Sequence, residues 1–334
     1  MARVLFVAPM DAERRAVVAR MASGVFEPVI LEDVPAEKRD DAWATADVVV
    51  CMGFPREFPP DLRETARKLR FVQALVAGVD HLPFQRFPPA AIVCSNAGAY
   101  SVAVAEHAMA LLLAAAKDIV VRTEEIRRGI FDQGVMNKAL AGSTVMILGL
   151  GGIGSEIARR CKAFDAHVVG IARSRTSREI VDEVGTMDDL ARYLPNADAV
   201  VLAIPLTRAT EGLVDRRFLA QMKDDAILVN IARGKLIVED DLFDHLKAHP
   251  KFRAALDTWW TYPDTKHGRP FHRPFHDLPN IVMTPHVAPA VPGQRARAME
   301  AALDNVIRFL RGDKPRNIVD PSDYAKTGSK DRGR

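Results

Sequence analysis

The sequence predicts an α/β protein in which parallel strands form open, doubly wound sheets covered by helices. Short apolar segments alternate with helical patterns along the chain, and this alternation is typical of βαβ units. The short segments are apolar on both faces, as parallel strands are when helices cover them. At 334 residues the chain exceeds what one hydrophobic core usually serves, so we expect two domains.

The N-terminal part of the chain contains the first set of predicted strands, separated by helices. Two helices are expected there, over residues 11–22 and 61–69. The strands are short and mostly apolar, and they are expected over residues 4–7, 28–31, 47–51, 71–75 and 91–94.

The central part of the chain begins with a predicted helix over residues 102–121 that is apolar nearly all round. Such a helix must be buried, between domains or between subunits. Six further strands are expected after it, the number that a doubly wound dinucleotide-binding domain requires. They span residues 144–148, 168–171, 199–204, 227–231, 254–256 and 281–284, and a final helix is expected over 294–311.

Composition argues against several classes of protein. Hydrophobic residues make up 48% of the chain and charged residues 27%, which is ordinary globular composition. The net charge of +3 gives no support for binding to nucleic acid, and no apolar run approaches the roughly 20 residues of a membrane helix. The three cysteines are widely spaced and odd in number, so they predict neither a disulfide framework nor a metal site. These features favour a soluble protein in a reducing, cytoplasmic setting.

A glycine-rich loop is the strongest single motif. Gly149, Gly151 and Gly154 form the pattern G-x-G-x-x-G directly after the predicted strand 144–148 and at the start of a predicted helix. This context makes the pattern specific for a dinucleotide. One glycine permits the tight turn, one lets the backbone approach the pyrophosphate, and one lets helix and strand pack closely. The N-terminus of the helix then attracts the phosphate charge.

The residues after the next strand predict which nucleotide is bound. An NAD-preferring loop usually places Asp or Glu about 20 residues beyond the last glycine, where it binds the ribose hydroxyls. This chain has Arg173, Ser174 and Arg175 there, with no carboxylate before Glu179. Two guanidinium groups and hydroxyl side chains suit a dianionic 2′-phosphate. We therefore expect NADP, with NAD as the alternative.

Six markers, including the glycine loop, stand in a fixed order along the chain. The other five are Ala77-Gly78-Val79-Asp80, Val104-Ala105-Glu106-His107, Pro205-Leu206-Thr207 with Thr210, Asn230-Ile231-Ala232-Arg233-Gly234, and Thr284-Pro285-His286. In this order they resemble the D-isomer-specific 2-hydroxyacid dehydrogenases, relatives of glyoxylate and hydroxypyruvate reductases, phosphoglycerate dehydrogenase and formate dehydrogenase. The resemblance runs from about residue 71 to residue 312 and weakens at both ends.

The resemblance implies both an architecture and an activity. A cofactor domain over residues 102–285 would be inserted into a flavodoxin-like substrate domain formed by residues 1–101 and 286–334. The substrate would bind in the cleft between the two domains. The activity would be hydride transfer between NAD(P)H and a small 2-oxo acid or D-2-hydroxy acid, in a homodimer.

The resemblance also assigns roles to individual residues. Arg233 would bind the substrate carboxylate or the reacting carbonyl, and His286 would exchange the proton as hydride moves. The backbone of Val76, Ala77 and Gly78 would hold the substrate carboxylate. Besides the glycine loop and the arginines after the next strand, the expected cofactor contacts are Gly152, Ile153, Ile204, Pro205, Thr210, Ile231, Ala232 and Asp257.

The chemistry requires these residue types independently of the family. When hydride arrives at or leaves carbon, a proton must be exchanged at oxygen, and histidine can do this in either direction near neutral pH. Arginine offers a planar, permanently charged group that polarises the carbonyl of a 2-oxo acid. His286 and Arg233 both follow apolar strands, at the sheet edge where ligands bind. Glu106 and His107, inside the apolar helix, we interpret as a structural pair.

Tyr262 marks a departure from the family pattern. Family members commonly have Asp-Val-Phe-x-x-Glu-Pro, in which the Glu pairs with the catalytic His, whereas this chain has Tyr262 at the position of that Glu. An ionised carboxylate beside the imidazole raises its pKa, whereas tyrosine is neutral and only hydrogen-bonds. We therefore include Tyr262 in the catalytic site. We expect His286 to titrate at a lower pH than in relatives that carry Glu.

Two alternative functions stay open at this stage. A neutral partner of His286 is also compatible with a dehydrogenase of another small anion, such as formate or phosphite. The second alternative is a dinucleotide-sensing binding protein similar to the transcriptional corepressors of this family. Those proteins would have partner-binding extensions, which this chain almost lacks beyond its core, and the retention of Arg233 and His286 favours catalysis.

Overall fold

Two parallel β-sheets organise the protein, whose computed structural model describes residues 1–173, 179–263 and 265–324. Each sheet belongs to its own unit. The terminal unit comprises Met1–Tyr100 and the chain from Val291 onward, and the central unit comprises Ser101–Ala290. The predicted α/β class with two parallel sheets is confirmed.

The terminal unit contains five strands and three helices from the N-terminal part of the chain. The strands are β1 (Arg3–Phe6), β2 (Glu27–Ile30), β3 (Val48–Cys51), β4 (Phe71–Ala74) and β5 (Ile92–Cys94), each within one residue of its predicted bounds. The helices are α1 (Ala12–Ala22), α2 (Arg39–Thr45) and α3 (Leu62–Thr65), so the last is shorter than predicted. The sheet order is β2-β1-β3-β4-β5, and every neighbouring pair is parallel.

The central unit contains seven strands in the order β12-β11-β10-β9-β6-β7-β8. These are β6 (Thr144–Leu148), β7 (His167–Ile171), β8 (Glu183–Gly185), β9 (Ala199–Leu202), β10 (Ile227–Asn230), β11 (Arg253–Leu256) and β12 (Ile281–Met283). Chain order reverses between β6 and β9, as in doubly wound dinucleotide domains. The prediction of six strands missed β8, because three residues are too few to produce a hydrophobic pattern.

Helices cover the central sheet, and the predicted helix over residues 102–121 proves to be two. The predicted helix corresponds to α4 (Ser101–Ala116) and α5 (Ile119–Arg127). The helices that follow are α6 (Gly152–Ala163), α7 (Leu190–Tyr193), α8 (Arg216–Leu219) and α9 (Glu239–Ala248). The break falls at Asp118, which has a left-handed backbone with φ of 47°. Its carboxylate accepts hydrogen bonds from Nε and Nη2 of Arg253, at 2.5 and 2.8 Å. This ion pair holds the chain in a turn where the sequence predicted continued helix.

The chain returns to the terminal unit through α10 (Gln294–Leu310). Met299, Leu303 and Val306 of this helix are buried in the same core as Phe6 and Val50 of the terminal sheet. The terminal unit is therefore built from both ends of the chain. In the described ranges, none of the helices combines the length and the hydropathy that a membrane span requires.

Candidate active site

The candidate site of the central unit lies along the carboxyl edge of its sheet. Because all seven strands are parallel, the loops that follow them leave from the same edge. Most of the predicted catalytic and cofactor-binding residues follow β6, β7, β9, β10, β11 or β12. The topology therefore brings together residues that lie more than a hundred positions apart in the sequence.

The glycine loop has the geometry that its pattern predicts. Gly149 has a φ of 99° and its N–H donates to the carbonyl of Ile171 at 2.8 Å. At Gly154, an added Cβ would lie 1.8 Å from the carbonyl oxygen of Gly149, so helix and strand meet too closely for a side chain. At Gly151, the N-cap of α6, an added Cβ would meet nothing within 4 Å. This open space beside a helix N-terminus can admit a phosphate group.

The predicted nucleotide-binding residues lie at the ends of neighbouring strands. Arg173 is exposed just after β7, and Ser174 and Arg175 lie outside the described residues. After β9, the Thr210 hydroxyl donates to the carbonyl of Pro205 at 2.8 Å and closes a turn. Exposed Gly152 and half-buried Ile153 begin α6, and the other predicted contacts of this group are Ile204, Ile231 and Ala232.

His286 is the third residue after the end of β12 and has an unusual backbone conformation. Its φ is 58°, in the left-handed region that few residues other than glycine adopt. The hydroxyl of Tyr262 lies 2.9 Å from Nδ1 of His286. The ring nitrogen opposite to Tyr262 is Nε2. The structure thus gives Tyr262 a hydrogen bond to the imidazole of His286.

Asp257, a predicted cofactor contact, follows β11 and is fully buried. Its side chain has no exposed surface, and its two oxygens accept hydrogen bonds from the backbone N–H groups of Val287 and Ala288, each at 3.0 Å. The Thr284 hydroxyl donates to the same carboxylate at 2.6 Å. The predicted contact of Asp257 with the cofactor stays a prediction. Asp257 stabilises the backbone on both sides of His286.

His107 extends this hydrogen-bond network from α4, and sequence reasoning missed its place near the site. Because the Thr284 hydroxyl donates to Asp257, it accepts at the same time from Nε2 of His107, 3.0 Å away. The predicted structural pair with Glu106 is wrong, since Glu106 is exposed and lies 3.6 Å from Arg160. In the sequence, His107 and Thr284 are linked in one way: each belongs to one of the six ordered markers.

Arg233 follows β10 in a loop that is shaped by a buried amide. The Asn230 side chain, fully buried, accepts from the N–H of Ala232 at 3.0 Å and donates to the carbonyl of Arg233 at 2.8 Å. A Cβ on Gly234 would lie 2.1 Å from the backbone of Trp259. The loop of Arg233 is therefore pressed against the loop that leads to Tyr262.

The predicted carboxylate-binding backbone belongs to the terminal unit. Val76, Ala77 and Gly78 are half-buried and follow β4. The carbonyl of Val76 accepts from the N–H of Asn96 at 2.9 Å, which fixes the start of the loop. No cluster of His, Cys, Asp and Glu that could hold a metal ion occurs in the ranges that the structure describes.

Comparison with known proteins identifies the family. Residues 109–288 match the model for the D-isomer specific 2-hydroxyacid dehydrogenase, NAD binding domain. The chain belongs to the D-isomer specific 2-hydroxyacid dehydrogenase family. The resemblance drawn from the six markers is thereby confirmed.

Two relatives illustrate the range of this family. The chain is 33% identical over 263 residues to a D-3-phosphoglycerate dehydrogenase from Methanocaldococcus jannaschii, a match that covers 78% of this chain and 49% of that protein. The chain thus spans about half the length of that relative. It is 31% identical over 296 residues to a glyoxylate reductase from Pyrococcus furiosus, covering 86% of each chain.

A solved structure shares the fold along nearly the whole chain. It is an NADPH-dependent glyoxylate/hydroxypyruvate reductase from Sinorhizobium meliloti, in complex with NADP and sulfate. The TM-score is 0.81 at 24% identity, and the match covers 97% of this chain and all of the other. At this level of identity the similarity shows the fold of this chain and says nothing about its substrate.

Proposed function

We propose that this chain is an oxidoreductase that transfers hydride between NAD(P)H and a 2-oxo acid or D-2-hydroxy acid. The observation that carries the proposal is the Tyr262–His286 pair, 2.9 Å apart, at the same sheet edge as the glycine loop. Hydride transfer to a carbonyl needs both a dinucleotide site and a group that exchanges a proton. The similarity to a glyoxylate reductase supports the same conclusion.

The glycine loop fits a nicotinamide dinucleotide. The open space beside Gly151 at the N-terminus of α6 leaves room for the pyrophosphate. We assign the further contacts to residues that follow β6, β9 and β10, namely Gly152, Ile153, Ile204, Pro205, Thr210, Ile231 and Ala232. When bound, the nicotinamide ring supplies hydride to the 2-oxo acid or accepts it from the 2-hydroxy acid.

His286 exchanges the proton at the substrate oxygen. Nδ1 is the nitrogen that hydrogen-bonds to Tyr262, and we assign the proton exchange with the substrate to Nε2. The imidazolium, and the neutral ring left after Nε2 has given up its proton, both carry N–H at Nδ1. Nδ1 of His286 can therefore donate to the Tyr262 hydroxyl in both protonation states. The pair therefore suits either direction of the reaction.

Arg233 and the loop after β4 bind the substrate in this proposal. The guanidinium of Arg233 pairs with the carboxylate or polarises the reacting carbonyl, because its planar, permanent charge matches either group. The backbone of Val76, Ala77 and Gly78 holds the carboxylate. This last assignment rests on the family resemblance.

We expect NADPH to be preferred over NADH, and Arg173 to carry part of this preference. Replacing Arg173 with Gln removes a charge-assisted bond to the 2′-phosphate, so kcat/KM for NADPH should fall by about tenfold while that for NADH changes little. The measurement is steady-state kinetics with each cofactor. Arg217→Gln, an equally exposed arginine on α8, is the matched control. Equal use of both cofactors by the unaltered protein would overturn the assignment.

Replacing Tyr262 with Glu should shift the pH dependence of reduction upward. A carboxylate beside His286 favours the imidazolium, the form that donates a proton, so reduction should persist to a pH about one unit higher. Tyr262 is 54% exposed, and solvent limits the shift. Tyr262→Phe removes the hydroxyl without adding charge and should produce no upward shift. The measurement is the pH–rate profile of each of the three proteins. If the three profiles coincide, the pairing of Tyr262 with His286 is refuted.

A substrate panel tests the proposed activity itself. We expect glyoxylate or hydroxypyruvate to be reduced with NADPH, followed by the loss of nicotinamide absorbance. The neutral partner of His286 also favours a second candidate, a dehydrogenase of another small anion, so formate and phosphite with NADP⁺ complete the panel. Turnover of these alone would favour the second candidate. Tight cofactor binding with no turnover of any substrate would instead indicate a dinucleotide-sensing protein.

We also propose that the protein is a cytoplasmic homodimer. Exposed apolar side chains concentrate on α5 and the segment after it, where Phe131 is 75% and Met136 92% exposed. Exposed apolar side chains in such number along one segment are typical of a protein interface. Sedimentation equilibrium should give twice the mass of the chain, and a monomer at micromolar concentration would contradict the proposal.

The three free, buried cysteines suit a reducing compartment.

A further inference from the structure

The terminal unit contains a cavity of about 630 Å³ at the carboxyl edge of its own sheet. Its walls include Val7, which follows β1, Leu31, which follows β2, and Met52, which follows β3. In the sheet order β2-β1-β3-β4-β5, β2 lies on one side of β1 and the later strands lie on the other. The strand order therefore reverses between β1 and β3. Open α/β sheets bind ligands at this switch point, outside the carboxyl ends of the strands. The cavity thus occupies the place where this fold most often holds a ligand.

Arginines dominate the polar lining of this cavity. Four line it, and only two carboxylates do so: the arginines are Arg14, Arg39, Arg56 and Arg295, and the carboxylates are Glu32 and Glu57. The arginines come from four separate segments, because they lie on α1, on α2, after β3 and on α10. Their convergence is a product of the fold and not of a local run of basic residues.

The two carboxylates are already engaged by other groups. Glu32 accepts from Nη2 of Arg15 at 2.5 Å. Glu57 accepts from the backbone N–H groups of Met52 and Gly53 at 2.9 and 2.8 Å. Burial raises the pKa of Glu57. The four arginines therefore outnumber the two carboxylates of the lining.

The arginines have few acidic partners of their own. Arg14 donates to the carbonyl of Pro9 at 2.7 Å, Arg39 donates to that of Val34 at 3.2 Å, and Arg56 lies over the ring of Phe54. Within the described part of the chain, these three arginines form no ion pair. Only Arg295 reaches a carboxylate, that of Asp11 at 3.2 Å. The cavity therefore carries a net positive charge and offers several guanidinium groups to an anion.

The cavity adjoins the loop that the proposed function assigns to the substrate carboxylate. β3 and β4 are neighbours, about 4.8 Å apart, so the segments that follow them leave the sheet side by side. The N–H of Leu75 donates to the carbonyl of Cys51 at 2.7 Å. His81, three residues beyond Gly78, lies with Nε2 3.0 Å from the carbonyl of Met52, and its ring contacts that of Phe54.

We infer that this cavity binds a second anionic group of the substrate, at the end of the molecule away from the 2-oxo acid function. The preferred substrates are then 2-oxo acids whose tail carries a carboxylate or a phosphate. The inference rests on the proposed function, since it places the 2-oxo acid group at Val76–Gly78. It extends that function by naming the class of substrate.

Paired substrates test this inference directly. The pairs are hydroxypyruvate with its phosphate ester, and 2-oxopentanoate with 2-oxoglutarate; the first probes a phosphate tail and the second a carboxylate tail. In at least one pair, we expect kcat/KM for the member with the charged tail to exceed that for the member with the uncharged tail by about tenfold, as one charge-assisted contact provides. Arg56→Gln and Arg39→Gln, both at exposed side chains, should each reduce this ratio several-fold.

The control is Arg67→Gln, which removes the same charge from an exposed arginine of the terminal unit outside the cavity lining. It should leave the ratio unchanged. If 2-oxo acids with an uncharged tail are reduced but neither pair favours the member with the charged tail, the inference is wrong and the proposed function stands. The same holds if the cavity variants leave the ratio unchanged. If no 2-oxo acid is reduced at all, the proposed function fails and the inference fails with it.

Discussion

Replacing His286 with Asn should lower kcat for 2-oxo acid reduction by about 10²- to 10⁴-fold, the usual contribution of a general acid. Asn is the appropriate substitute because it tolerates a left-handed backbone better than most residues, and His286 has a φ of 58°. The variant can therefore keep the turn that Asp257 stabilises through Val287 and Ala288. What it loses is the proton-exchanging group.

Two readouts separate this catalytic loss from a structural one. The affinity for NADPH, measured by fluorescence titration, should stay near that of the unaltered protein, because His286 is not among the proposed cofactor contacts. The melting temperature should change little as well. A variant that retains full kcat would remove His286 from the mechanism.

Replacing Gly154 with Ala should abolish NADPH binding and destabilise the central unit. The new Cβ would lie 1.8 Å from the carbonyl oxygen of Gly149, which is backbone and cannot move without opening the loop. Overpacking of this kind costs about 1–3 kcal/mol of unfolding free energy, and the displaced loop would no longer present its amides to a phosphate. Thermal denaturation and cofactor titration measure the two effects.

Gly151→Ala is the matched variant, because it separates cofactor binding from folding. Gly151 has an ordinary φ of −75°, and a Cβ there meets no protein atom within 4 Å. The melting temperature should therefore be unchanged, whereas NADPH should bind more weakly because the methyl group intrudes into the space proposed for the pyrophosphate. Unimpaired NADPH binding by Gly151→Ala would show that the phosphate lies elsewhere.

Much of the fold could be predicted because parallel strands leave a strong local signal. The five strands of the terminal unit were predicted to within one residue, since each is a short run of apolar residues between helices. The break between α4 and α5 could not be predicted, because it depends on the pairing of Asp118 with Arg253, 135 residues away. β8 was missed because its three residues, Glu183–Gly185, carry no pattern.

The candidate site was predictable only where its residues fall in ordered motifs. The position of Tyr262 against His286 followed from spacing in the family pattern, and the structure places the two side chains 2.9 Å apart. The burial of Asp257 did not follow from the sequence, since a carboxylate after a strand looks the same whether it faces a ligand or the backbone of another loop. The arginine-lined cavity was equally hidden, because its arginines converge from segments on both ends of the chain.

The stereochemistry of the product tests the central claim most directly. The claim is that this chain reduces 2-oxo acids to D-2-hydroxy acids with a nicotinamide cofactor. The measurement is chiral chromatography of the product formed from hydroxypyruvate and NADPH, together with the amount of NADPH consumed. The account predicts D-glycerate in equal amount to the NADPH oxidised. Formation of the L isomer, or no oxidation of NADPH or NADH with any 2-oxo acid, would contradict it.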